Sequence, residues 1–116
     1  KKPEKRLLDY IYGLERLLVI EKNKKRNSLA TRVANFIGEN KEGWIEINKN
    51  VEFSYNRFRN KLSHGSKDEV SLSKCNEYSK TMENYTRQAI NKYLDMVDKG
   101  HTKQEILDFI ETVPFS

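Results

Sequence analysis

The stretch Tyr55–Ser66, YNRFRNKLSHGS, gathers a histidine, two arginines and an asparagine at what the sequence predicts to be a helix end. Histidine takes up and returns a proton near neutral pH, and arginine holds phosphate oxygens through paired N–H donors. Arg59 and His64 are thus the minimal parts for cleaving RNA through attack of its own 2′-hydroxyl. Because Gly65 follows, His64 falls in the last helical turn, where the negative end of the helix dipole favours the imidazolium. A cationic imidazole beside a guanidinium suits a phosphate group.

Spacing decides how these groups can cooperate. Arg59 and His64 are five residues apart, which is about 140° around a regular helix, so they do not share a face. Asn60, four residues before His64, does share one with it. The splay implies that one copy is incomplete and that a second copy across a two-fold axis supplies the missing groups. Arg57, Lys61 and Lys67, with the basic run Lys24, Lys25 and Arg26, would then neutralise phosphates along an RNA-binding rim. The plainer alternative is a capping histidine before a turn glycine, set in a solvated basic surface.

Other residues with chemical potential have plainer readings. Tyr78, Tyr85 and Tyr93 could stack on bases, yet their spacing of seven and eight fits a buried or interface seam better. Cys75 sits on an apolar stripe and reads as core rather than as a nucleophile paired with His64. His101 has no acidic or cysteine neighbours at metal-ligand spacing, so neither a metal site nor a cofactor is expected. GENKEG is too short for a phosphate-binding loop.

Helices must position the motif. Leu7, Leu8, Ile11, Leu14, Leu17 and Leu18 form one stripe of a helix over Glu4–Glu21, in which Gly13 suggests close packing. Asn27 or Ser28 caps a second helix, Ser28–Ile37, that stops at Gly38, a residue suited to the left-handed conformation. Trp44, Ile47, Val51, Tyr55, Phe58 and Leu62, spaced 3, 4, 4, 3 and 4, make a third helix ending at Ser63 or His64. Its β-branched start leaves a short strand open, and Trp44 packs beneath it. A long pattern from Leu72 to Val97 stops at Gly100, and Thr102 with Glu105 forms a capping box for a last short helix. Five helices without a convincing strand predict an all-α, up-down bundle.

Composition agrees. The 116 residues suffice for one core, and Leu, Ile, Val and Phe total 29, which is above the level that predicts disorder. The two prolines lie near the ends, at Pro3 and Pro114, leaving the interior without the strongest helix breaker. A net charge of +5 permits a polyanionic partner without demanding one. No apolar run reaches the roughly 18 residues of a membrane span, and KKPEKR lacks the apolar stretch of a signal peptide, so no membrane partner is expected. With one cysteine, a cytoplasmic location follows as the expectation. Starting at Lys1, the chain reads as the C-terminal piece of a longer protein.

Arg59-Asn60-Lys61-Leu62-Ser63-His64 resembles the R-x(4–6)-H motif of HEPN domains (higher eukaryotes and prokaryotes nucleotide-binding). The order of tyrosine, arginine, histidine and glycine in YNRFRNKLSHG is similar to that of Apea-like HEPN members. GLERLL, the segment LATRVANFIG and the closing TKQEILDFI also resemble the layout of that subgroup, so the likeness spans nearly the whole chain. The resemblance implies a small helical homodimer acting as a metal-independent endoribonuclease, in antiphage defence, toxin–antitoxin pairs or RNA processing. An antitoxin or regulatory domain would be its partner. On the same basis Arg59 binds the scissile phosphate, His64 serves in acid–base catalysis and Asn60 orients one of them, in a groove at the dimer interface. Some HEPN domains are non-catalytic, so an RNA-binding or dimerisation module is the alternative.

Overall fold

The computed structural model describes residues 3–18, 28–59 and 72–112. Among these residues the chain is all-α, with five α-helices, one π-helical turn and no strand. The helices are α1 (Pro3–Leu18), α2 (Leu29–Ile37), α3 (Lys41–Phe53), α4 (Leu72–Asp98) and α5 (Lys103–Glu111), and α3 runs directly into the π turn Ser54–Arg59. No helix among the described residues is long and apolar enough to cross a membrane.

Each helix forms where its apolar residues recur at three and four. Leu7, Ile11, Leu14 and Leu18 of α1 are fully buried, facing Met82 and Ala89 of α4 in the same core. Helix α2 differs, because Leu29, Ala30, Val33, Ala34, Phe36 and Ile37 are buried together with Arg32 and Asn35. A short helix buried nearly all round is the centre of the bundle, and its two polar residues satisfy distant backbone. Arg32 Nη1 donates to the Leu18 carbonyl at 2.9 Å and its guanidinium pairs with Glu111. Asn35 Nδ2 donates to the Ile110 carbonyl at 2.8 Å, while its Oδ1 accepts from Trp44 Nε1 at 2.8 Å. These bonds tie the ends of α1 and α5 and the start of α3 to α2. Lys92 of α4 adds a fourth tie, donating to the Phe36 carbonyl and lying over the Phe36 and Phe109 rings at 5.2 and 4.4 Å. Burial pushes the Lys92 ammonium below its ordinary pKa.

The cross-contacts fix the directions. Tyr10 of α1 reaches Glu83, Asn50 of α3 reaches Tyr85, and Phe53 stacks on Tyr78 at 4.9 Å. With Lys92 at Phe36 and Leu18 at Arg32, α1 and α4 run parallel while α3 runs against them. The π turn therefore sits at the end of the bundle where α1 and α4 begin, away from α2.

Several details depart from the sequence expectations. Helix α3 starts at Lys41 rather than Trp44, because Asn40 caps it by accepting from the Gly43 N–H at 2.7 Å, and no strand forms at its β-branched start. Ser28, not Asn27, caps α2. Gly38 is extended, with φ −67°, and is not left-handed; it is needed because a Cβ there would lie 2.6 Å from the Ala34 carbonyl oxygen. Gly13 has nothing within 4 Å of an added Cβ, so it marks no close packing. Gly100 does take a positive φ of 91° after α4, and the Thr102–Glu105 capping box is formed. Val97, placed on the inward stripe of α4 by its periodicity, is exposed together with Ile90 and Leu94.

Candidate functional site

The motif segment begins where α3 changes register. Ser54 through Arg59 forms a π-helical turn, with hydrogen bonds spanning five residues rather than four. The buried row of α3, Ile47 and Val51, continues to Ser54, which is fully buried and whose hydroxyl has no hydrogen-bond partner. Tyr55, partly buried against the core, follows it.

Arg57 and Arg59 both lie within this turn, which places their backbones at the motif end of the bundle. Asn60, Lys61, His64 and Lys67 lie outside the described residues, as do Lys24, Lys25 and Arg26. The described part of the site is thus the platform from which the motif departs. Two helices, α1 and α4, begin at this end, and the positive poles of their dipoles face the same side of the bundle as Arg57 and Arg59.

The remaining candidates resolve into packing. Tyr78 stacks on Phe53 with 21° between the rings, Tyr93 packs against the core, and Tyr85 is 7% exposed. The Tyr85 hydroxyl accepts from Asn50 Nδ2 at 2.9 Å, and burial raises its pKa against the opposing effect of that bond. The seam reading of these tyrosines therefore stands over base stacking. Cys75 lies within α4, and His101 is exposed just after Gly100. Among the described residues, no group of three or more His, Cys, Asp or Glu side chains is placed to hold a metal ion.

Sequence reasoning missed the outer face of α3. Ile45 is 51% exposed and Phe53 40%, and with Trp44, Lys49, Glu52 and Asn56 they line an open groove of about 610 Å³ that runs onto the π turn. Its signal is a second periodic row, Ile45, Lys49, Glu52 and Phe53, masked by the stronger row that starts at Trp44. Comparison with protein-family models, curated proteins and solved structures finds no match to this chain.

Proposed function

We propose that the chain is a HEPN-type, metal-independent endoribonuclease domain that cleaves single-stranded RNA by 2′-hydroxyl attack. Its site is composite, shared across a homodimer. Arg59 holds the scissile phosphate, His64 moves the proton and Asn60 orients one of them. Arg57, Lys61, Lys67 and the basic run Lys24, Lys25 and Arg26 neutralise flanking phosphates. The reading places the protein in the cytoplasm as an antiphage or toxin-type effector restrained by an antitoxin or regulatory domain.

The observation that supports this best is the π turn Ser54–Arg59 ending on the motif arginine. Such turns are rare and concentrate at functional sites, and this one begins at the buried Ser54.

Incubation with a mixed RNA pool in EDTA, beside a His64→Ala variant, tests the reading. Cleavage by the parent alone, leaving cyclic phosphate ends, is the expected result. Equal cleavage by both removes His64 from the chemistry, and cleavage by neither returns the chain to a non-catalytic RNA-binding or dimerisation module.

A further inference from the structure

We infer that the groove between α3 and α4, at the α2 end of the bundle, binds a small hydroxylated amine of the amino sugar class. The inference rests on the groove's own residues and is independent of the Arg59 motif.

Helices α3 and α4 meet where Phe53 stacks on Tyr78 and where Asn50 donates to the Tyr85 hydroxyl. Beyond that bond they part, and the end of α2 closes the gap with Ile37 and Glu39. The resulting cavity of about 460 Å³ shares no residue with the groove on the outer face of α3. It is large enough for a single sugar ring. Apolar surface comes from the buried Ile37 and Ile47, and polar walls from Glu39 and Glu46 on one side and Asn84 and Gln88 of α4 on the other.

Charge sets the sign of the ligand. Two carboxylates line the groove and no lysine or arginine does, in a chain that has 22 of them. Lys92, the cation nearest in charge to Glu39, lies one turn beyond Gln88 and donates its ammonium to the Phe36 carbonyl. At the start of α3 the Gly43 N–H is taken by Asn40 Oδ1. An anion therefore meets like charge here, whereas an ammonium meets acceptors.

Hydrogen bonding sets the rest. The side chains of Glu39, Glu46, Asn84 and Gln88 make no hydrogen bond or ion pair among the described residues, so their polar atoms are open to a ligand. Tyr85 is 7% exposed and accepts from Asn50, but its own proton has no acceptor among the described residues. Glu46 lies close enough to raise the Tyr85 pKa, so its carboxylate and the phenol share the same space. A buried O–H of this kind calls for a ligand oxygen. A bare diamine answers the carboxylates and leaves the phenol unmatched, and a neutral sugar leaves the carboxylate charge unpaired. An ammonium with hydroxyls beside it answers both, and the Asn84 and Gln88 amides can each donate to and accept from those hydroxyls.

Calorimetric titration at about pH 6, where the carboxylates are charged, tests the assignment with glucosamine, glucose and putrescine as probes. Glucosamine is expected to bind with a Kd on the order of 1 mM or tighter, and each of the other two roughly tenfold more weakly. Glu46→Gln is expected to weaken glucosamine roughly tenfold, Tyr85→Phe to weaken glucosamine and leave putrescine unchanged, and Glu52→Gln on the outer face of α3 to change nothing. Circular dichroism checks that each variant folds. Glu46 and Gln88 are exposed, so Glu46→Gln and Gln88→Ala carry the test even where Tyr85→Phe unfolds. A parent that does not bind glucosamine at about 10 mM overturns the assignment. So does putrescine binding as tightly as glucosamine, since the acidic wall alone then accounts for it, or glucosamine binding that survives both Glu46→Gln and Gln88→Ala.

Discussion

Replacing Asn35 by leucine tests whether α2 is held by its polar ties or by its apolar surface alone. The substitution keeps size and removes both bonds, from Asn35 Nδ2 to the Ile110 carbonyl and from Trp44 Nε1 to Asn35 Oδ1, each 2.8 Å. Ile110 is fully buried, so its carbonyl loses its donor where water does not compensate, whereas the partly buried Trp44 can turn its N–H toward solvent. At about 1–3 kcal/mol for each orphaned group, less about 1 kcal/mol for the added apolar burial, the net loss is about 2 kcal/mol. For a chain of 116 residues that corresponds to a fall of about 8 °C in Tm. The chain has one tryptophan. Urea unfolding followed by its emission therefore reports this junction, and coincidence with the far-ultraviolet dichroism transition checks that the whole bundle unfolds together. Asn35→Asp sharpens the test, because a carboxylate still accepts from Trp44 but opposes the Ile110 carbonyl. Burial raises the folded pKa of that aspartate, so its penalty is full above the raised value and disappears as pH falls to the ordinary carboxylate range. An Asn35→Leu variant within about 0.5 kcal/mol of the parent would refute the reasoning.

Gly13→Ala is expected to raise stability by up to about 1 kcal/mol, since the added methyl meets open space in a helix interior, whereas Gly38→Ala should lower it through collision with the Ala34 carbonyl and Trp44; thermal melts of both variants decide. The Thr102 backbone N–H donates to the Glu105 carboxylate and holds its pKa below the usual range, so the stability this group contributes is present above the unfolded carboxylate pKa and lost as pH falls through the lower folded value. Glu105→Gln keeps the capping bond without the charge, so its Tm should fall less steeply than that of the parent on acidification; parallel curves would contradict the assignment.

The helices of this bundle were legible because their buried rows are local patterns. Leu7, Ile11, Leu14 and Leu18 declare α1, and Thr102 with Glu105 announces the start of α5 within four residues. What escaped depends on partners distant in sequence or on the backbone itself. Arg32 and Asn35 look like ordinary surface residues of a short helix until the carbonyls of Leu18 and Ile110 arrive from elsewhere in the chain. Gly38 announces a turn but not whether a positive φ or a close approach requires it. The π turn was hidden because the spacing from Trp44 to Leu62 runs through it uninterrupted. Of the candidate site, the sequence named Arg59 and the motif that follows it, but not the widened turn that carries Arg59 or the charged face of α3 beside it.

The concentration of long-range polar ties around α2 has an evolutionary consequence. Arg32, Asn35, Trp44 and Lys92 join α1, α3, α4 and α5 to one short helix, at the end of the bundle opposite the π turn. Substitutions that reshape the motif end leave that junction untouched, so the identity of the fold and the chemistry of the site can drift independently. A lineage built on this scaffold could retune, weaken or abandon the Arg59 motif and still inherit the same bundle.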